Sequence, residues 1–314
     1  MSKVLVTGAF GNLGQMVIDE LRGQGFMPVA ADLDGARSRR IAKRYGLEQT
    51  AHWDDVRRQD FDAVLSGVTA VIHLAAVLPP VTEREPALAR AINVEATMRL
   101  IDSMERSAPR AVLIYPSSVT VYGLPVDPGH LHRSDDPTCP TDNYSSHKLE
   151  VENRLKKSDI PWAILRVGVA VDSRTLGADA ATMRTLFNID ADNPLEYVHP
   201  RDVALAMVNA IRRPEAHRKI LLIGGGERCR VTQHRFLSAG LGALGLELPR
   251  ELLGRSAYYT CWMDTTESQA LLGFQRHSFS DYETEMRDRL RWIRVALTPL
   301  RPVARWALRR ALRR

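Results

Sequence analysis

Tyr144 and Lys148 stand four residues apart, and Ser118 closes an apolar run about one structural element earlier. On a helix that spacing puts the phenol and the ammonium on one face. A free tyrosine ionises near pH ~10, too high for an efficient base at neutral pH. A cation beside it favours the phenolate and draws that value down. A serine hydroxyl facing the same crevice would hydrogen-bond a substrate oxygen. The chemistry this trio suits is proton transfer at an alcohol or carbonyl oxygen. Tyr-x-x-x-Lys recurs by chance in many helices, so the trio carries weight only beside a second motif.

Thr7-Gly8-Ala9-Phe10-Gly11-Asn12-Leu13-Gly14 supplies that motif. Gly8, Gly11 and Gly14 each have a backbone reason: a tight turn, close approach to a pyrophosphate, and close packing of helix on strand. The helix behind the turn offers free N–H donors and a positive dipole end to phosphates. The run follows an apolar strand, opens a helix, and precedes Asp32, eighteen residues after Gly14 and at the end of a second strand. That context marks a dinucleotide site, with Gly8, Phe10, Gly11, Asn12, Leu13 and Gly14 around the cofactor. Asp32 would accept from the adenosine ribose hydroxyls and repel a 2′-phosphate, which favours NAD over NADP. Arg37, Arg39 and Arg40 lie just beyond and read as a solvated helix face.

The elements that must position these groups alternate regularly. Apolar runs predict strands over residues 4–6, 27–31, 70–76, 111–115, 161–167 and 220–223, with a short one before Asp54. Helical periodicity predicts helices over 15–22, 36–45, 86–104, 144–157 and 203–211. The segment 123–143, rich in Pro, Asp and Gly, reads as loop. This order predicts an α/β fold, a doubly wound parallel sheet of Rossmann type, with a small C-terminal substrate-binding lobe. The expected division is 1–167 for the dinucleotide-binding domain, 168–285 for a lobe partly interleaved with the sheet, and 286–314 for a basic amphipathic tail.

Further motifs match one family. They are Asp55-Val56-Arg57, His73-Leu74-Ala75-Ala76, Asn93-Val94-Glu95-x-Thr97, Ser117-Ser118-x-x-Val121-Tyr122-Gly123, Leu165-Arg166 and Val198-His199-x-x-Asp202-Val203-Ala204. With the glycine run and Tyr144-x-x-x-Lys148, the chain resembles an extended short-chain dehydrogenase/reductase of the NAD-dependent epimerase/dehydratase family, over residues 1 to about 275. The resemblance implies that Asp55 and Val56 contact adenine and that Leu74, Ala75 and Ala76 line the cofactor. It further implies that Asn93 supports that wall, that Lys148 also holds the nicotinamide ribose, and that a homodimer forms through the helices around 86–104 and 144–157. His73 and His199 are expected to be satisfied structural histidines. The implied activity is NAD(P)-dependent hydride transfer between the cofactor and an alcohol or carbonyl, with Tyr144 as general acid/base. Sugar epimerisation is the alternative, and a dinucleotide-sensing protein without catalysis ranks last.

Departures from the family narrow the substrate. Val119 and Thr120 stand where its dehydratases carry Asp-Glu, which disfavours dehydration. Leu195 stands where its nucleotide-sugar epimerases carry an arginine for the pyrophosphate, and the segment 168–197 is short. A smaller or more apolar substrate gains support.

Composition sets the remaining bounds. A hydrophobic content of 45% with 25% charged residues is that of an ordinary soluble globular protein. Cys139, Cys229 and Cys261 are too sparse for a disulfide framework and show no metal-ligand pattern, so no metal is expected. With the first strand beginning almost at Met1, no secretory signal is expected, and the expected compartment is cytoplasmic. The net charge is +6. Arg301, Arg305, Arg309, Arg310, Arg313 and Arg314, with no acid between Leu300 and the end, account for all of it. The body is therefore neutral, which disfavours nucleic-acid binding. The tail's arginines recur every fourth residue, while Leu300, Val303, Ala304, Ala307, Leu308 and Ala311 gather on another arc. Such a helix either packs its apolar arc on the body or on a second subunit, or makes peripheral contact with an anionic membrane.

Overall fold

Val4, Leu5, Val6, Val71, Ile72, Leu113, Ile114, Ile164 and Leu165 are wholly buried with no alternation along their strands. That is the pattern of a parallel sheet covered on both faces. The computed structural model describes every residue except 125, 126, 128, 176–179, 313 and 314. Arg313 and Arg314 of the basic tail lie outside that set, as do the side chains of Ala307 and Ala311.

The strands are β1 (Lys3–Thr7), β2 (Met27–Asp32), β3 (His52–Trp53), β4 (Val68–His73), β5 (Val112–Ser118), β6 (Leu131–His132), β7 (Trp162–Val167), β8 (Pro194–Glu196), β9 (Lys219–Ile223), β10 (Arg230–Thr232) and β11 (Trp262–Met263). Seven form one sheet in the order β3-β2-β1-β4-β5-β7-β9, with every pairing parallel. The order reverses between β1 and β4. Ligands of open α/β sheets bind at such a switch point, outside the carboxyl ends of the strands. Helices Asn12–Gly23 and Pro200–Ile211 cover one face through Met16, Val17, Ile18, Leu21, Val203 and Met207. Leu100, Ile101, Met104, Val151 and Leu155, from helices Thr97–Ser107 and Asn143–Lys156, cover the other.

Three sequence expectations need correction. The segment 123–143, read as loop, contains β6, which pairs with β11. The strand expected over 70–76 ends at His73. Leu74 N–H still reaches the Thr7 carbonyl, but Ala75 N–H turns to the Thr7 side chain, and the ladder stops there. The helix expected over 86–104 is not uniform: Pro86–Arg90 is α, Ala91–Ala96 is a π turn, and Thr97–Ser107 is α again. One wide turn inside an α-helix frequently marks a functional position, and Asn93 sits within it.

After β7 the chain leaves the sheet, then returns with helix Pro200–Ile211 and β9. Between and beyond lies a second body with its own core of Leu195, Tyr197, Val231, Phe279, Tyr282 and Met286. Small sheets β8–β10 and β6–β11 hold it together. The buried Glu196 carboxylate lies at its centre, accepting Gly226 N–H at 3.0 Å, Met263 N–H at 2.8 Å and Arg230 Nε at 3.3 Å.

Candidate active site

The glycine turn is a bare backbone cradle. Gly8 has φ +65, and a Cβ there would meet Ala75 N at 3.0 Å. A Cβ on Gly14 would come within 2.5 Å of the Gly8 and Ala9 carbonyl oxygens. The helix therefore starts against the turn only because position 14 has no side chain. Gly11 caps that helix without a side-chain partner, so its first N–H groups are available to an anion. Phe10 is buried and stacks on Trp53 at 5.4 Å, and Arg39 lies over the same indole at 5.0 Å. Leu13 is half-buried and packs against the adjoining core. Asn12 reaches across to Asp172 at 3.5 Å.

Asp32 sits at the end of β2, and each carboxylate oxygen accepts one backbone N–H, from Phe10 at 2.7 Å and from Leu33 at 2.7 Å. Burial raises its pKa, opposed by those two bonds and by Arg37. A carboxylate has about four lone-pair sites, so acceptor capacity remains for ribose hydroxyls. Arg37, Arg39 and Arg40 are exposed. Asp55 is engaged by Arg57, which donates its backbone N–H at 2.9 Å and its guanidinium at 2.6 Å; this pairing holds the carboxyl below the usual range. Val56 packs against the second core cluster.

The opposite wall is Leu74, Ala75, Ala76 and Val77, all half-buried. Asn93 grips it from the π turn: its Oδ1 accepts Val77 N–H at 2.7 Å and its Nδ2 donates to Val77 O at 2.9 Å. Beneath this wall His73 is buried, 2.8 Å from Thr7 Oγ1 and 3.0 Å from Thr97 Oγ1. Thr7 receives Ala75 N–H, and Thr97 donates to Asn93 O. The network therefore places the His73 proton on Nε2. Burial, with Lys148 nearby, lowers its pKa to about 3. His73 is a satisfied structural histidine, as expected. His199 is another: its Nδ1 accepts Arg201 N–H at 3.1 Å, its Nε2 lies 3.2 Å from Glu285, and its ring stacks on His277 at 4.2 Å.

Asp142 fixes where helix Asn143–Lys156 starts. Its side chain accepts Ser145 N–H at 2.7 Å, and Ser145 Oγ answers from the third position. Tyr144 thus lies in the first turn, half-buried. Lys148 follows one turn later, buried, with Nζ donating to Pro116 O at 2.7 Å. That Nζ lies 4.7 Å from the Tyr115 ring centroid and 5.7 Å from that of Tyr144. Ser118 ends β5, where its Oγ accepts from Thr120 N–H at 3.2 Å and Thr120 Oγ1 at 3.0 Å. Burial pushes the Tyr144 hydroxyl up rather than down. Burial also lowers Lys148 to about 8, with Glu152 acting in the opposite sense. The expected depression of Tyr144 is therefore absent from the protein's own electrostatics: dehydrating a phenolate is costly, and the Asp142 carboxylate adds to the rise.

Sequence reasoning missed the group behind this trio. Glu152, wholly buried, is the third member of the series 144, 148, 152 on one helix face. It accepts Ser117 Oγ at 2.5 Å and a bidentate pair from Arg166 at 2.7 and 3.1 Å. Arg166 also donates to Tyr122 Oη at 2.8 Å, and Tyr122 donates to Arg133 O at 2.7 Å. The four-residue spacing of an acid behind Tyr and Lys was the available signal. Among the described residues one trio, His130, His132 and Asp136, brings potential metal-ligand atoms within 4.8 Å of one another. The Asp136 carboxylate lies 2.6 Å from His130 and 3.2 Å from His132, and these pairings account for the cluster. Leu195 is buried in the core of the lobe.

A profile of the NAD dependent epimerase/dehydratase family matches residues 4–224. UDP-glucose 4-epimerase of Mycolicibacterium smegmatis is 29% identical over 157 residues, 48% of this chain and 49% of that protein. Methionine adenosyltransferase 2 subunit beta of Bos taurus is 30% identical over 173 residues, 53% of this chain and 46% of that protein. The match spans about half the length of these curated relatives. Among solved structures, UDP-glucose-4-epimerase from Stenotrophomonas maltophila, with bound NAD and formylated UDP-arabinopyranose, aligns with a TM-score of 0.76 at 23% identity. That alignment covers 94% of this chain and 100% of that one, a likeness of fold. With the profile covering well over half of its residues, the chain belongs to the NAD-dependent epimerase/dehydratase family.

Proposed function

We propose that this chain is an NAD-dependent oxidoreductase acting on an alcohol or carbonyl carbon. The observation that supports the reading is that Lys148, on the same helix face as Tyr144, donates to Pro116 O two residues before Ser118 on β5, at the carboxyl end of the sheet that the Gly8–Gly14 turn also follows. The cradle fits a dinucleotide: a side chain at Gly8 or Gly14 would strike backbone, and Asp32 keeps acceptor capacity toward a ribose. NAD, when bound, supplies a hydride acceptor and a positive charge near Tyr144. In the oxidative direction Tyr144 takes the hydroxyl proton of the substrate, and in the reductive direction it returns one. Ser118 orients the substrate oxygen. Lys148, a cation below about pH 8, would join the bound cofactor's positive charge in favouring a Tyr144 phenolate and would hold the nicotinamide ribose. Asn93 keeps Ala75 and Ala76 in place as the wall of the site.

The relatives named UDP-glucose 4-epimerase favour a second reading, oxidation and re-reduction of one sugar carbon within a single turnover. Leu195 in the lobe core, where an arginine would meet a pyrophosphate, supports the first reading and a less anionic substrate. A homodimer through the helices around residues 86–104 and 144–157 belongs to the same proposal. Their solvent sides carry crossed ion pairs, Arg90–Glu150 and Arg154–Glu105, so the contact would be polar and salt-sensitive.

The test is NADH formation across a panel of alcohols, with Tyr144→Phe alongside. Loss of a general acid/base group lowers turnover by about 10²–10⁴-fold, with NAD affinity retained. Near-normal turnover in Tyr144→Phe overturns the assignment. NAD that co-purifies, with sugar epimerisation and no net NADH, selects the second reading. Cofactor binding without turnover of any alcohol, carbonyl or sugar overturns both.

A further inference from the structure

The chain ends in two helices, Phe279–Leu297 and Arg301–Leu312, joined through the short turn Thr298–Leu300. One side of this arm faces the body. Phe279, Tyr282, Met286 and Leu290 are buried, and Leu297, Arg301, Ala304 and Leu308 continue the line half-buried. The tail thus packs one arc on its own body. Its opposite side stays uncovered: Trp292 is 70% exposed, Val295 64%, Val303 61% and Trp306 61%. Steps of three residues put Trp292 with Val295 on one side of the first helix and Val303 with Trp306 on one side of the second, in each case away from the body-facing line. Ile293 and Leu300, also exposed, widen the uncovered side on one edge.

Charge accompanies the apolar stripe. From Arg289 to the end the chain has nine arginines and no acid. Arg291 lies over Trp292 at 4.8 Å and Arg310 over Trp306 at 5.4 Å. Among the described residues, no ion pair involves an arginine from Arg289 onward. The body's own carboxylates therefore do not balance this charge.

We propose that this arm docks the protein on an anionic lipid surface. The two helices lie flat in the headgroup layer, with Trp292, Val295, Val303 and Trp306 turned toward the acyl boundary and the exposed arginines, such as Arg291, Arg309 and Arg310, among the phosphates. Two tryptophans on an apolar face with a cationic flank is the composition such interfacial helices use. A second copy is a poorer occupant, because it would bring an identical acid-free arginine surface to the same contact. A nucleic acid would meet the arginines and leave the apolar stripe in water. The body-facing line of Leu290, Leu297 and Leu308 fixes the other side, so docking holds the body at a set orientation above the membrane. None of this depends on the catalytic residues.

The experiment is flotation of the full chain with vesicles of phosphatidylcholine alone and of phosphatidylcholine with phosphatidylglycerol. Binding is expected to the second only, weakening as salt rises. Near an anionic surface each arginine contributes about five-fold in affinity, so Arg291→Gln/Arg309→Gln lowers binding about 25-fold. Trp292→Ala/Trp306→Ala is expected to abolish stable binding. All four side chains are exposed, so unchanged melting temperatures establish that the variants fold, and Tyr144→Phe is expected to bind normally. Equal binding to both vesicles, or to neither, overturns the proposal. A dimer that depends on Trp292 and Trp306, without vesicle binding, also overturns it in favour of a second copy. Binding to duplex DNA that ignores the tryptophan changes, in place of vesicle binding, overturns it in favour of a nucleic acid.

Discussion

Gly14 and Gly23 stand at the two ends of one helix and separate steric necessity from composition. A Cβ at position 14 would press on the Gly8 and Ala9 carbonyls, both backbone, whereas one at position 23 meets nothing within 4 Å. Gly14→Ala is therefore expected to push the helix off the turn and abolish dinucleotide binding, read by titration of NADH fluorescence. Gly23→Ala is expected to leave binding intact and, by reducing unfolded-chain freedom, to stabilise by about 0.4–1 kcal/mol. Equal affinity in the two variants would remove the cradle from the argument. Asp32 makes a second residue-scale case. Its carboxylate is held by Phe10 and Leu33 N–H groups whatever binds. Asp32→Ser keeps a polar side chain but removes the charge that repels a 2′-phosphate. The NAD-over-NADP preference is expected to fall at least about ten-fold, since 1.4 kcal/mol is a modest share of such a repulsion. An unchanged ratio of cofactor affinities would assign that preference elsewhere.

At the scale of elements, the buried pair Glu152–Arg166 joins helix Asn143–Lys156 to β7, while Ser117 and Tyr122 bring in β5 and the turn after it. Arg166→Met would strip the buried carboxylate of its bidentate partner, leaving only Ser117 and the Lys156 ammonium at 3.9 Å, at a cost of up to about 3–5 kcal/mol. Replacing both partners with apolar residues is expected to recover much of that loss. Urea unfolding of the single and double variants decides, and a single-variant loss below about 1 kcal/mol would show that the pair does not hold these elements. The spacing of Glu152 behind Tyr144 and Lys148 hinted at a buried acid, but nothing in the linear sequence named Arg166 as its partner. Positions 152 and 166 meet only after β7 has returned beside the helix. By contrast, β1, β4, β5 and β7 were legible because burial on both faces writes an unbroken apolar run. The π turn at Ala91–Ala96 was not, because one wide turn hardly disturbs an apolar period. Strands β6, β8, β10 and β11, two or three residues each, owe their pairing to tertiary placement. Tyr144, Lys148 and the glycines could be read because their chemistry depends on local spacing. Trp53 beside Phe10 could not, since the sheet alone brings β3 to the turn. The tail's arginines were legible, but the outward stripe begins at Trp292, before the segment that the periodicity had marked.

The whole molecule is a neutral two-body core with a cationic arm, and its response to acid follows from groups inside the core. His73 lies under the cofactor wall, between Thr7 of β1 and Thr97 of the helix behind it, so it belongs to the unit that must unfold as a whole. Its folded pKa of about 3 lies below the ordinary value of 6.5. Between those values the unfolded chain binds a proton that the native state refuses. Stability therefore rises with pH across that window, is fully present above about 6.5, and is lost as pH falls toward 3. The slope contributed is at most about 1.4 kcal/mol per pH unit. His73→Gln keeps an amide between the two threonines but cannot charge. Its unfolding free energy from urea titrations, measured from pH 7 down to pH 4, is expected to fall less steeply than that of the native chain by up to about this amount. Carboxylates paired in the native state, such as Asp55 and Asp62, give acid sensitivity to both proteins and cancel in the comparison. Parallel acid limbs would mean that His73 takes up its proton without opening the core, and the wall over which Ala75 and Ala76 are laid would have to be softer than its hydrogen bonds imply.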